Sequence, residues 1–302
     1  MDGILLLHKP KGLTSHDCVF KVRKLLKTKK VGHTGTLDPD VTGVLPICIG
    51  RATKIAEYVT GTSKTYIGEV TIGYSTITED SSGEIVQKKE VDRTITRSEI
   101  EEVLQGLMGK QLQTPPMYSA VKVNGKRLYE YARKGMEIER PTREITIHDL
   151  QLLDDRSVFE GETISFQFKV TCSKGTYVRT LAVTIGEKLG FPAHMSHLIR
   201  TASGGFQIEE CITFEEIEKV LELGQIQSIL IPLERALAHL PNLQIDDKVA
   251  MKVRNGAVLE AVELLNNAPF IVLLDESHRA LAIYEKHPSK PGLMKPMKVL
   301  RN

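Results

Sequence analysis

The stretch Gly32-His33-Thr34-Gly35-Thr36-Leu37-Asp38-Pro39-Asp40 holds the densest set of reactive side chains in the chain. A surface turn uses Gly, Thr, Asp and Pro for its geometry, and that is the plain reading of the segment. The order Asp38-Pro39-Asp40-Val41-Thr42 also fits an aspartate nucleophile in phosphoryl transfer, with Mg²⁺ bridging carboxylate and phosphate. That chemistry requires the first aspartate to follow a buried apolar strand, and His33-Thr34-Gly35-Thr36 is a poor one. The glycines do not have the G-x-x-x-x-G-K-S/T order of a phosphate-cradling loop. Elsewhere, Tyr66 and Tyr177 read by default as core side chains, Arg179 as a surface arginine and His33 as a solvent-facing loop residue. Asp38 is therefore ambiguous within its own loop.

The elements around these residues are easier to read. Residues 4–7 form a short apolar strand that ends at the Lys9-Pro10-Lys11-Gly12 turn. Val19, Val22, Leu25 and Leu26 have helical spacing, with Thr14 or Ser15 as cap. Residues 32–50 read as an irregular loop that leaves as a strand over 44–49, and 64–74 alternates as a strand before a polar turn at 75–83. Ile100, Val103, Leu104 and Leu107 predict a helix over 97–108. Pro115-Pro116, the Asn124-Gly125 hairpin signal and a basic helical stretch mark 114–143 as a projecting insertion. A strand over 163–172 and a helix over 178–189 follow, and Leu240-Pro241-Asn242 introduces strand-like runs at 270–274 and 280–284.

The 302 residues are 41% hydrophobic and 26% charged, enough to bury a sizeable core in two domains. No apolar run reaches the roughly 18–20 residues of a membrane span, and Asp2 stands where a signal peptide would be basic. The expectation is a cytoplasmic protein, complete as given. Cys18, Cys48, Cys172 and Cys211 lie far apart with no C-x-x-C pair, so reduced thiols are expected rather than a metal or disulfide framework. The net charge of +2 and pI near 8.2 decide nothing about a partner. Local charge says more: 21–30 carries six basic residues and no acid, 286–302 five and none, and 122–143 seven against three acids. Three such segments point to a polyanion lying across several parts of the surface.

Gly32–Pro39 closely resembles the catalytic motif G-H-x-G-x-L-D-P of the tRNA pseudouridine-55 synthase family of the bacterial B type, followed by its x-A-x-G. The opening Gly3–Gly12, Lys64-Thr65-Tyr66, the run Pro115–Gly135 and Val170–Arg179 resemble further segments of the same family, in the same order, across roughly residues 3–206. Haloacid-dehalogenase-like phosphatases share only the D-x-D-x-T order.

The resemblance implies an α+β pseudouridine-synthase domain over 1–240 with a central mixed, largely antiparallel sheet and an RNA-clasping insertion at about 114–143. A small β-rich PUA-like RNA-binding domain over 241–302 would follow, resembled more loosely through Arg254-Asn255-Gly256 and Lys295–Val299. It implies isomerisation of uridine 55 in the tRNA T loop, with no cofactor and no metal, by a monomer that binds the T-arm stem-loop. A flipped base has to be extruded and its stacking replaced. In that scheme Asp38 is the nucleophile and Arg179 the cation that keeps it ionised. Tyr66 stacks on the base and is a candidate for proton transfer. Tyr177 and the backbone near Leu198 complete the pocket, and His33 inserts where the base leaves. Attack on the sugar carbon and attack on the pyrimidine ring both stay open. A tRNA-binding or tRNA-folding protein without catalysis is the alternative, and it would have no need of Asp38. The chain departs from the family pattern at Val41, Ile77, Thr184, Ile199 and Ala202, the last two where basic residues are common.

Overall fold

The computed structural model describes residues 1–61 and 63–301. The chain divides into two compact units, one formed by 1–39, 44–61 and 204–302, the other by 40–43 and 62–203. The break expected at residue 240 therefore falls inside the first unit.

The first unit opens with strand β1 (Gly3–Lys9) and helix α1 (Ser15–Leu25), followed by strands β2 (Val31–His33) and β3 (Thr42–Ile49). β1 reads as an unbroken apolar run because both of its faces are covered. Leu5 and Leu7 pack with Cys18, Val19 and Val22 of α1 and with Leu45 and Ile47 of β3. Ile4 and Leu6 pack on the other side with Val44, Cys48, Phe206, Val272 and Ile283. α1 starts where the sequence places it, and Thr14 rather than Ser15 is the cap. The Thr14 hydroxyl accepts from the Asp17 backbone N–H at 3.0 Å while the Asp17 carboxylate takes the Thr14 N–H at 2.9 Å. Such a reciprocal cap stabilises a helix by about 1 kcal/mol. The loop expected over 32–50 is shorter than that, because β2 pairs with β3 through Val31↔Ile49, Gly32↔Cys48 and His33↔Ile47. Residues 242–299 form a five-stranded sheet covered by the helix Asp247–Arg254, with Val253, Ile271, Leu273 and Tyr284 in its core.

The second unit is built on strand β4 (Lys64–Ile72). It pairs antiparallel with the Ile164–Cys172 strand on one side and the Ala193–Ser203 strand on the other. Arg143–Leu152 and Gly109–Gln113 extend the sheet beyond Ile164–Cys172. The alternation in β4 buries Tyr66, Gly68, Val70 and Ile72 on one face, and Phe166, Phe168 and Val170 match them across the pair. The helix Val178–Leu189 runs over the span the sequence predicts and buries Val178, Leu181, Ala182 and Ile185. The first two residues of β3 belong to this unit and pair parallel with Ile199 and Arg200, so the sheet is mixed. Within the 114–143 insertion, Asn124 and Gly125 turn the hairpin Lys122–Arg127 with φ of 49° and 80°. Its helix is short, Leu128–Ala132, and Leu128 and Tyr131 are buried rather than projecting.

Gly43 shows what the join between β3 and its neighbour demands. Its φ is +107°, and a Cβ there would collide with the Arg200 backbone, whose N and C atoms would lie 2.9 Å away. Gly190 also has positive φ (+90°), but a Cβ on it would have nothing within 4 Å. We expect Gly43→Ala to cost on the order of 3 kcal/mol or more, because strain and collision add. Gly190→Ala should cost about 1 kcal/mol from conformation alone. Urea denaturation of both variants checks this, and equal losses would refute the role given to the Arg200 contact.

Candidate active site

Asp38 is half-buried, between Leu37 and Pro39, and both neighbours are tied down. The buried Ser15 hydroxyl accepts the Leu37 N–H at 2.8 Å and lies 3.3 Å from the Leu37 carbonyl, to which it donates. Ser15 can do this because Thr14 does the capping. The Pro39 carbonyl accepts from the Gly12 N–H at 2.9 Å and from the Lys9 ammonium at 3.0 Å. Lys9 is fully buried at the end of β1 and also donates to the Pro10 and Leu13 carbonyls, at 2.8 and 2.5 Å. Upstream, Thr34 is buried, donating its N–H to the Pro46 carbonyl at 3.2 Å, and its own carbonyl accepts from Thr60 at 2.9 Å. The loop therefore holds its carboxylate from both sides through backbone bonds. His33 is half-buried at the end of β2 rather than in an open loop. Its Nδ1 accepts from the Gly35 N–H at 3.3 Å, which puts the neutral ring's proton on Nε2.

Asp38 and His33 belong to the first unit, and Tyr66, Tyr177, Arg179 and Leu198 to the second. Tyr66 is 7% exposed on the buried face of β4, in register with Val170 and Arg200. Leu198 shares that face two residues along, opposite Gly68. A side chain at Gly68 would meet Phe168 at 2.8 Å and Leu198 at 3.2 Å, so a glycine lets those two side chains close over the strand beside Tyr66. Tyr177 is the half-buried residue preceding the helix Val178–Leu189. Its backbone is clamped by the Gln113 amide, which accepts its N–H at 2.8 Å and donates to its carbonyl at 3.0 Å. The Arg143 guanidinium lies 4.6 Å over its ring.

Arg179 is 5% exposed, so it is not the ordinary surface arginine of the plain reading. It donates to the Thr78 carbonyl at 2.8 Å and the Tyr118 carbonyl at 2.9 Å, with Asp80 at 3.4 Å. Asp80 in turn accepts from Thr78 Oγ1 at 2.7 Å and from the Ser82 N–H at 3.0 Å, so the polar turn after β4 is an arginine holder. Glu79 in this turn accepts from Thr180 at 2.6 Å, and burial pushes its carboxyl up while Thr180 and Arg179 pull the other way. Sequence reasoning misses Lys9, Ser15, Asp80 and Gln113 as supporting groups. Lys9 and Ser15 are visible in the sequence only as parts of a turn and of a helix cap.

The chain has counterparts among known proteins. Residues 23–178 match the family described as TruB family pseudouridylate synthase (N terminal domain), and 179–238 match the tRNA pseudouridylate synthase B C-terminal domain. A Bacillus cereus protein named tRNA pseudouridine synthase B is 66% identical over 302 residues, covering 100% of this chain and 98% of that protein. A Geobacillus thermodenitrificans protein of the same name is 64% identical, covering 100% of both. Among solved structures, a chain of the Cbf5-Nop10-Gar1 complex superposes with TM-score 0.73 at 26% identity, covering 99% of this chain and 84% of that one.

One further buried group borders Tyr66. Lys64 lies on the same face of β4, 7% exposed, in register with Cys172 and Ser203. Burial lowers its ammonium pKa to about 8, and the Arg200 guanidinium adds to the effect. Burial also raises the Cys172 thiol to about 11, so the pair is a protonated thiol beside a weakened base. Because the folded pKa lies below the unfolded value near 10.5, the unfolded chain binds more protons between those limits. Lys64 therefore contributes a stability that rises with pH from about 8 towards 10.5. Urea midpoints measured across that window should climb more steeply for wild type than for Lys64→Met. Parallel curves for the two proteins would show that Lys64 is not titrating there.

Proposed function

Since the chain belongs to the TruB family of pseudouridylate synthases, we propose that Asp38 is its nucleophile and uridine 55 in the T loop of tRNA its target. The chain is an isomerase that forms pseudouridine in tRNA, as its full-length relatives at 63–66% identity are named. The reaction breaks the bond from N1 to the sugar C1′ and makes one from C5 to the same carbon. C5 loses a proton and N1 gains one, so the composition is unchanged. The protein must supply a carboxylate for the sugar–base bond exchange, hold the detached base while it turns, and move a proton.

The observation that carries the assignment is the two-sided clamp on Asp38. Leu37 is held by Ser15 and Pro39 by Lys9 and Gly12, so the carboxylate between them is aimed by the fold and not by its own contacts alone. Effective catalysis depends on such prior positioning, since about 1 Å of misplacement can cost a hundred-fold in rate. In this reading Arg179 keeps Asp38 ionised. Tyr66 stacks on the uracil, and its hydroxyl handles the proton. Tyr177 and Leu198 enclose the base, and His33 takes the place the base vacates. The 114–143 insertion clasps the T arm. Residues 241–302, with their five-stranded sheet, act as an RNA-binding domain. The enzyme works as a monomer in the cytoplasm, without a cofactor.

Two variants test the reading. Asp38→Asn should lower pseudouridine formation in a T-arm hairpin on the order of 10³-fold or more, with RNA affinity within about three-fold of wild type. Chemical mapping of the product and filter binding give both numbers. Modification at the wild-type rate would refute the nucleophile, and product at another uridine would refute only the site. Ser15→Ala, which removes both bonds to Leu37, should cut single-turnover rate by roughly 10–100-fold with little change in affinity. An unchanged rate would mean that the clamp does not aim Asp38.

A further inference from the structure

Helix α1 does a second thing besides presenting Ser15. On its outer side His16, Phe20 and Lys24 follow one another at four-residue spacing, so they form a single stripe. Phe20 is 65% exposed, the bulkiest apolar side chain left open at that level among the described residues. A single exposed apolar side chain is ordinary on its own, so the weight falls on what surrounds this one. The ring borders a shallow hollow of about 740 Å³ lined by His16, Phe20, Lys21, Lys24, Leu25 and Glu218, with Asp17 at its edge.

Within the hollow Lys21 and Lys24 balance Asp17 and Glu218, so the positive charge beside Phe20 comes from the chain that follows it. Asp17 is engaged in the cap of α1, accepting from Thr14 N at 2.9 Å and Oγ1 at 2.6 Å. Glu218 pairs with Lys21 at 3.5 Å, and Lys21 Nζ sits 4.2 Å over the Phe214 ring, which holds that wall in place. Lys24, Lys27, Lys29 and Lys30 are exposed, and residues 21–30 contain no acid. An apolar protein partner would be poorly served beside this acid-free run of lysines. A polyanion with an exposed π-face is well served: a base stacks on the ring while neighbouring phosphates meet the lysines.

We propose that Phe20 and the lysines after it form an accessory RNA-binding platform that stacks an unpaired nucleotide of the substrate tRNA. This rests on the reading of the chain as a tRNA-modifying enzyme and adds a contact that the target loop does not supply. Phe20 is five residues after Ser15, about 8 Å along the axis and about 140° around it. The stacked nucleotide is therefore a different one from the uridine acted on at Asp38. The platform adds affinity without reading sequence, because every base has a stacking face.

Stacking can be separated from packing by substitution. Phe20→Leu keeps the apolar bulk and should weaken binding of a full-length tRNA transcript about ten-fold, whereas Phe20→Trp should bind at least as tightly as wild type. Lys24→Gln should lower the salt slope of log Kd by about one. A photoreactive benzoylphenylalanine at position 20 should cross-link to the tRNA at an unpaired nucleotide. Equal affinity of the Leu, Trp and wild-type proteins would overturn the proposal, as would a cross-link to a second copy of the chain instead of RNA. Wild-type pseudouridine formation measured alongside separates the two levels. Its absence would sink the enzyme reading, and its presence with equal affinities would sink the platform alone.

Discussion

A fully buried ammonium group sets the geometry on which the Asp38 loop depends. Lys9 ends an apolar strand whose two faces are packed, so its side chain has no route to water. Burying an unsatisfied charge costs several kcal/mol, so the group must collect oxygens wherever the fold can bring them. It collects the carbonyls of Pro10, Leu13 and Pro39. Two of these are local, and the third lies thirty residues on, immediately after Asp38. The chain between β2 and β3 is therefore not free to choose its path. Its far end is fixed by a charge that the first strand carries into the core, and its near end by the Ser15 hydroxyl at the start of α1.

The second unit solves a related problem in the same way. Arg179 is buried at the first turn of its helix, where a positive charge is opposed by the helix dipole, so it too needs oxygens. Two of them are the carbonyls of Thr78 and Tyr118. Carbonyl oxygens satisfy N–H donors without cancelling their charge. The carboxylate it meets, Asp80, is at 3.4 Å and is itself shared with Thr78 and Ser82. The guanidinium is thus held by backbone oxygens and a shared carboxylate, and its charge also pulls on the buried Glu79 carboxyl. The positive φ of Glu79, at 62°, is part of the same turn, where the Glu79 carbonyl accepts the Met195 N–H at 3.0 Å.

Elements with a strong period are legible in the sequence. The helix Val178–Leu189, β4 and the Ile164–Cys172 strand announce themselves through side chains a few residues apart, because the same neighbours decide their burial. β2 is not legible, since three residues including a glycine carry no period and the strand exists only through its partner β3. The cap of α1 shows the limit at the scale of one atom. Thr14 and Ser15 are equally good caps by type, and what separates them is that Leu37 needs the Ser15 hydroxyl. Gln113 is invisible for the same reason: an amide clamps the Tyr177 backbone across sixty-four residues, and nothing around either position hints at the other. The candidate side chains stand out through ordered motifs. The groups that hold them come from long-range pairing, which local spacing does not encode.

Of the five departures from the family pattern, Val41 is buried three residues after Asp38, and the other four fall where they disturb this support least. Ile77 is half exposed, and its structural contribution is its N–H, donated to the Glu84 carbonyl at 3.0 Å, which any residue but proline can supply. Thr184 turns its hydroxyl back into its own helix, to the Thr180 carbonyl at 2.9 Å, away from the bonds that hold Arg179. Ile199 is in register with Ile67, and Ala202, beyond a bulge, with Thr65. Both therefore lie on the face of the sheet opposite Tyr66 and Gly68, since alternate residues of β4 point to opposite sides. Two positive charges missing at these positions are missing from that opposite face. The Tyr66 face keeps Arg200, 1% exposed and in register with Tyr66 itself. Whatever RNA affinity the two substitutions remove is thus lost away from the surface on which Tyr66 and Leu198 stand together.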